Sequence, residues 1–145
     1  MKLEHVLQSK GNAVETVRPS ATVTELLAKL AQFNIGALVV SDDGQTVVGI
    51  VSERDVVRHL ATGGAASLEQ PVSSIMTPTV TCAPPSATTA DLMGLMTTSR
   101  VRHVPVLDSD EHIIGIVSIG DVVKSRLGEL EEERNALVEY VNVGR

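Results

Sequence analysis

Residues 19–58 read PSATVTELLAKLAQFNIGALVVSDDGQTVVGIVSERDVVR. They align without a gap on residues 85–124, PSATTADLMGLMTTSRVRHVPVLDSDEHIIGIVSIGDVVK, at an offset of 66. Fourteen of the 40 aligned positions are identical, and six of the others exchange one aliphatic side chain for another. An internal duplication on this scale constrains the fold before any single element is considered. A unit of about 60 residues buries too little of its own sheet to stand alone, so the two copies must pack on each other.

Each copy carries the same local signals. Pro19 and Pro85 close short extended runs at 14–17 and 80–82. Thr22-x-x-Glu25 and Thr88-x-x-Asp91 have the form of a helix start, with an acid at the third position to complete the cap. Val23, Leu26, Leu27 and Leu30 then recur on one helical face, and Leu92, Met93 and Met96 repeat the pattern. Two β-branched runs follow in each copy, 37–40 with 46–51 and 104–107 with 113–117. They are joined by SDDGQ and DSDEH, connections of hairpin type. A second helix begins at each Ser-x-x-Asp. The expectation is an α+β fold of two pseudo-symmetric β-α-β-β-α repeats packed as one module, at 5–65 and 72–130, with a helical tail at 131–145.

The joining segment LATGGAASLEQPVSSIMTP is interrupted by Gly63-Gly64 and Pro71, with room for a turn of helix at VSSIM. The tail places Leu130, Leu137, Val138 and Val141 at roughly helical spacing, either to dock on its own domain or to meet a second copy.

Composition narrows the function. Phe33 and Tyr140 are the only aromatic residues and the net charge is -6. A chain without aromatic stacking platforms or a basic surface is not built for nucleic acid. The single cysteine, Cys82, cannot form an internal disulfide. The N-terminus lacks a signal-like apolar run, and no segment has the length to span a bilayer. The expectation is a soluble cytoplasmic protein with no membrane partner.

GIVSERD at 49–55 and GIVSIGD at 115–121 admit two readings. Ser at a helix N-cap with Asp three residues later is a capping box, and Gly before Ile-Val can be strand punctuation. The same atoms also suit a ligand. A helix N-terminus offers backbone N–H groups and a positive dipole to phosphate, Ser adds a hydroxyl, and an ionised Asp accepts from the two hydroxyls of a ribose.

Both motifs, the repeated β-α-β-β-α pattern, RHVPV at 102–106 and SxIMTP at 73–78 together resemble a tandem pair of cystathionine β-synthase (CBS) domains, a Bateman module. The resemblance covers about residues 5–130. It implies two clefts between the copies, each able to hold an adenosine nucleotide (AMP, ADP or ATP) or a related adenosyl ligand. Carried over by position, one cleft would use Ser118, Gly120 and Asp121 with Ile116 beside them, and Ile35 and Gly36 near the base. The other would use Ser52, Arg54 and Asp55, with Val101 and Arg102. The family often places a basic residue before the Pro-Val of the second strand. His103 holds that place in copy two, whereas copy one has Ala37, with Val39 instead of proline. The clefts are therefore expected to be unequal, with Arg54 compensating where copy two has Gly120.

No catalytic or metal site is expected. His5, His59, His103 and His112 lack metal-ligand spacing, and Cys82 and the methionines fit packing roles. Nothing repeated beside Asp55 and Asp121 could shuttle a proton. The chain is expected to be a non-catalytic regulatory or sensor module that requires no cofactor, binds an adenosine ligand and acts on an unidentified partner. The alternatives are a structural dimerisation module that has lost its ligand and a hydrolase of the bound nucleotide. A homodimer is expected, because VV pairs in both motif helices exceed what one core face requires.

Overall fold

The computed structural model describes residues 1–11 and 14–144. Residues 12 and 13, inside the expected first repeat, and residue 145, the last of the expected tail, lie outside the described residues. The first copy runs α1 (Leu3–Lys10), β1 (Thr16–Val17), α2 (Val23–Phe33), β2 (Ala37–Val40), β3 (Gly49–Ser52) and α3 (Glu53–Gly63). Two short 3-10 helices, Gly64–Glu69 and Val72–Ser74, lead into α4 (Thr89–Ser99), β4 (His103–Leu107), β5 (Ile113–Ser118) and α5 (Ile119–Val143). The α+β class is as the sequence implies, and the repeated order holds except for the lead-in strand of copy two.

The four helices of the repeats, α2 to α5, all start in capping boxes. Thr22, Ser52, Thr88 and Ser118 each accept the backbone N–H three residues on, and Glu25, Asp55, Asp91 and Asp121 return the bond to the cap residue's own N–H. Such caps contribute about 1 kcal/mol each.

The two sheets differ at their lead-in strands. β1 pairs parallel with β2, which pairs antiparallel with β3. In copy two, β4 and β5 pair antiparallel, but the run at 80–82 forms no strand and leaves one bridge, Ala83 to Val106. The reason lies in one residue. The pair Thr16–Val39 needs the Val39 N–H, and the equivalent Pro105 has no N–H to give. A second departure from the sequence pattern is the late start of β3 at Gly49. The Asp43 carboxylate takes the N–H groups of Gln45 and Thr46, both at 2.8 Å, and commits them to the turn.

The packing of the copies is crossed. Val72 and Ile75, from the joining segment, complete the core of copy one. Leu3, Val6 and Leu7, from α1, complete the core of copy two. The backbone repeats the relation: Val72 N–H donates to Ala21 O at 2.8 Å, and Leu3 N–H to Ala87 O at 2.8 Å. These lead-in segments superpose at an offset of 69, not 66, which hides them from the duplication seen in the sequence. The motif glycines face them. A Cβ on Gly49 would lie 2.6 Å from Met76 Sδ and 3.0 Å from the Thr77 carbonyl oxygen, and one on Gly115 would collide with Leu7. The glycine thus admits the crossing segment; strand punctuation does not account for it.

The expected tail is not a separate element. α5 continues unbroken from Ile119 through 25 residues, and only Val122 on it is buried. Each VV pair divides its labour: Val56 and Val122 are 3% and 1% exposed, while Val57 and Val123 are 64% and 48% exposed. No helix among the described residues is long and apolar enough to cross a membrane.

Candidate functional site

The N-terminus of α3 opens on a cleft of about 390 Å³ between the copies. Ser52, Arg54, Asp55 and Arg58 form one wall, and Arg100, Val101, Arg102 and His103 of copy two face them. The segment 77–81 closes the third side, over Ile50 and Ala37. Four guanidinium groups therefore surround a space that holds only two acids, Glu53 and Asp55. Among the described residues, none of these arginines forms a salt bridge. On a chain of net charge -6, this is a local reversal of sign. Unpaired arginines converging on one cavity match the oxygens of a phosphate in geometry and charge.

The Ser-Asp pair is both cap and open acceptor. Asp55 Oδ2 receives the Ser52 N–H at 2.8 Å and the Ser52 hydroxyl at 3.1 Å. Its second oxygen, Oδ1, takes no hydrogen bond from the described residues, and no unpartnered side-chain oxygen among them is buried. One oxygen thus holds the helix start while the other stays accessible, so the structural and ligand-binding readings of the motif are compatible. The α3 N-terminus is less open than its position suggests, because Glu53 N–H already donates to Gly36 O at 3.0 Å.

On the third side, Thr77 exchanges both backbone hydrogen bonds with Ile50, at 2.8 and 3.0 Å. The N–H groups of Thr79, Val80 and Thr81 then find no backbone acceptor among the described residues. Free amides beside apolar walls of Ile50 and Val101 suit the edge and face of a planar heterocycle.

The pseudo-symmetric place in copy two is filled by the protein itself. Lys10, at the end of α1, donates to the Ile116 carbonyl at 2.8 Å and to Asp121 Oδ2 at 2.6 Å. At the offset of 69, Lys10 stands where copy one has Thr79. Burial pushes the Asp121 carboxyl up, but the Lys10 hydrogen bond and charge and the Ser118 hydrogen bonds outweigh it and hold the group below its ordinary range. The ammonium shares Oδ2 with the Ser118 N–H and hydroxyl, so Oδ1 of Asp121, like that of Asp55, takes no hydrogen bond from the described residues.

His103 lies between the two sites. It pairs with Ser118 across β4 and β5 and also lines the Asp55 cleft. Burial, then the Lys10 charge, pushes its imidazole below the ordinary value, against the opposing pull of Asp121 and Glu53.

The structure thus brings together Ser52, Arg54, Asp55, Val101, Arg102 and His103. Gly36 lines this same cleft, not that of Asp121, because its carbonyl holds the first amide of α3. Ile35 is 38% exposed and lines neither space. Ile116, Ser118 and Asp121 cluster around Lys10, while Gly120 faces a groove on the outer side of α5. The sequence pattern missed Arg58, Arg100 and residues 77–81. Arg58 follows Arg54 by one helical turn, a spacing that could have revealed it. Lys10 could have been found only by aligning the lead-in segments at 69.

Comparison with known proteins returns one family twice: the CBS domain model matches residues 11–62 and 72–128. The mitochondrial CBS domain-containing protein CBSX3 of Arabidopsis thaliana is 37% identical over 153 residues, which cover 98% of this chain and 72% of that one. The crystal structure of a CBS-domain-containing protein from Agrobacterium tumefaciens is 44% identical, with a TM-score of 0.83 over 87% of this chain and 99% of its own. CBSX2, solved in complex with AMP, is 28% identical with a TM-score of 0.72, over 88% of this chain and 96% of its own.

Proposed function

The chain belongs to the CBS-domain family, and on that premise we propose that it is a non-catalytic regulatory module binding an adenosine nucleotide in the Asp55 cleft. The observation that carries this reading is the convergence of an accessible Asp55 oxygen with four unpaired arginines in one cavity. Asp55 Oδ1 accepts from the ribose hydroxyls. Arg54 and Arg102, seconded by Arg58 and Arg100, hold the phosphate, and the amides of residues 79–81 read the base. AMP bound to CBSX2, a relative of the same fold, supports the ligand class. The ligand would bridge α3 of copy one to residues 100–103 of copy two, so occupancy would report on how the copies sit together.

The reading assigns no reaction to the site, since the Ser52 hydroxyl and the Asp55 carboxylate are committed to each other and to the backbone as the cap of α3. It places the protein in the cytoplasm, where a lone thiol such as Cys82 stays reduced, and as a homodimer through its helical face. A second reading, loss of ligand binding, applies to the other cleft alone, where Lys10 already engages Asp121.

A thermal-shift panel of AMP, ADP, ATP, NAD, S-adenosylmethionine and GTP tests the proposal, followed by calorimetry on any compound that stabilises. A nucleotide at 100 times its Kd adds about 2.7 kcal/mol of stability. Stabilisation by adenosine nucleotides with a stoichiometry of one per chain is the expected result. No stabilisation by any adenosine compound, or product formed on incubation, would overturn it.

A further inference from the structure

The four arginines of the Asp55 cleft exceed what a single phosphate uses. Two bidentate guanidinium forks already engage every terminal oxygen of one phosphate monoester. Arg54 and Arg102 fill that role, which leaves Arg58 and Arg100 without a task on the same group. The other copy gives the comparison. At the offset of 66, Arg54, Arg58, Arg100 and Arg102 correspond to Gly120, Lys124, Asn34 and Gly36. Lys124 is the one cation among those counterparts, so the excess of charge is particular to this cleft.

The fold does not ask for that excess. Arg54 and Arg58 stand four residues apart in the first two turns of α3, where like charges repel and the positive end of the helix dipole opposes both. Arg100 holds the left-handed backbone at φ 55°, a conformation that its counterpart asparagine adopts more readily. Side chains that break local preferences and return no ion pair within the chain are the mark of a bound partner. The cations are also spread out. Arg54 lies on the turn of Ser52 and Asp55, and Arg58 lies one turn further, about 6 Å along the helix axis. Across the cleft, the Arg102 carbonyl is fixed by the Ile119 N–H at 2.9 Å, and Arg100 ends α4 two residues before it. Each wall thus presents two cations at different places, which suits a chain of phosphates better than one phosphate.

We propose that the Asp55 cleft selects for the length of the phosphate chain: it is a site for adenosine triphosphate in preference to the monophosphate, with Arg58 and Arg100 reading the outer phosphates. This rests on the nucleotide reading above and names the ligand within that class. The same sign of charge rejects adenosyl compounds whose tail is a cationic sulfonium.

Calorimetry with AMP, ADP and ATP at one ionic strength reads the preference directly. Affinity should rise with each added phosphate, to about 100-fold tighter for ATP than for AMP, at about 10-fold for each further charge-assisted contact. S-adenosylmethionine should bind at least about 100-fold more weakly than ATP. Added salt should weaken ATP more than AMP, because Arg58 and Arg100 are exposed and their charges are screened. The double variant Arg58→Gln with Arg100→Asn removes both charges and leaves residues that suit a helix and a left-handed cap. It should unfold at no lower urea concentration than wild type. ATP should weaken by about 100-fold and AMP by less than about 10-fold, so the preference shrinks by about 10-fold or more. ATP bound no more tightly than AMP, S-adenosylmethionine bound as tightly as ATP, or a preference that survives the double variant overturns the proposal and leaves the nucleotide reading standing. No binding of any adenosine compound overturns both.

Discussion

Two clefts began as copies of one sequence and now present opposite faces to solvent. Around Asp55 the protein assembles cations and then leaves them unpaired; around Asp121 it supplies the cation itself. The carboxylates are held alike, each with one oxygen on the N–H and hydroxyl of the preceding serine, at 2.8 and 3.1 Å for Asp55 and 2.8 and 2.9 Å for Asp121. The difference arises in the lead-in segments, which the duplication kept in place but not in sequence. A threonine in one and a lysine in the other decide which carboxylate is already paired with a cation of the chain, on the oxygen that the serine also holds. Identical motifs therefore specify a helix start with a carboxylate beside it, and the neighbouring segment specifies whether that carboxylate is charge-paired within the chain.

The sharpest break of this contrast is at the carboxylates. Asp55→Ala should weaken AMP binding by on the order of 10²-fold or more, from the loss of charge-assisted hydrogen bonds of roughly 1.5–3 kcal/mol each. Asp121→Ala should leave that affinity largely intact. Urea melts of both variants should show only about 0.3–1 kcal/mol lost from removing an acid at a helix N-terminus. Equal affinities for wild type and Asp55→Ala by calorimetry would reduce the motif to a cap.

A step down in size come the arginines. Arg54→Ala and Arg102→Ala should each weaken AMP by about 10-fold, one charge-assisted contact's worth after partial replacement by water. Adenosine affinity should not change, because the phosphate is what they hold. Calorimetry with both compounds makes the distinction, and a parallel loss for adenosine would assign these side chains to the base or ribose instead.

Lys10→Met asks whether the second cleft can be turned into the first. It should add a second, weaker binding event, taking the stoichiometry towards two per chain, at a cost below about 1 kcal/mol for a partly exposed ion pair. It also predicts a change with pH. The folded-state pKa of Asp121 lies below its ordinary value of 3.8, so its contribution to stability is present above that value and is lost as the pH falls through the folded value. Lys10→Met should flatten this acid-side loss in urea melts collected from pH 5 downwards. Unchanged stoichiometry and unchanged acid sensitivity would show that Lys10 does not close the cleft.

The smallest effect concerns Arg100. It ends α4 in the left-handed conformation at φ 55°, where its counterpart Asn34 ends α2 at φ 51°. Asparagine tolerates that backbone better than a long side chain does. Arg100→Asn should therefore fold at least as stably as wild type and bind AMP only about two- to five-fold more weakly, as a peripheral phosphate cation would. A melt that shows clear destabilisation would mean that Arg100 serves packing.

Much of this was legible in the residues. The offset of 66 announced two copies, and the four capping boxes could be placed to the residue because their chemistry is local. The set Ser52, Arg54, Asp55, Val101, Arg102 and His103 followed from a resemblance keyed to those same boxes. What escaped is non-local. Pro105 trims a strand by withholding an amide from a segment more than 20 residues away. Arg100 and residues 77–81 enter the cleft through the way the copies are docked. Lys10 reaches Asp121 across the whole second repeat, in a segment whose apolar positions match Val72, Ile75 and Met76 only after a three-residue shift. Gly36 was assigned to the wrong cleft because sequence position does not reveal which side of a pseudo-two-fold axis a loop will face.

The unbroken run of α5 has a mechanical consequence. Its first turn is fixed by Ser118 and Asp121, and its 25 residues extend about 37 Å at 1.5 Å per residue, with nothing but Val122 sunk into the body. A rigid rod pivoted at one end multiplies angle into displacement. A tilt of about 5° at Ser118, smaller than many ligand-linked helix shifts, carries the far tip through roughly 3 Å over that length. A small adjustment at that pivot would be amplified along the rod to Tyr140 and Val143, which are 79% and 86% exposed.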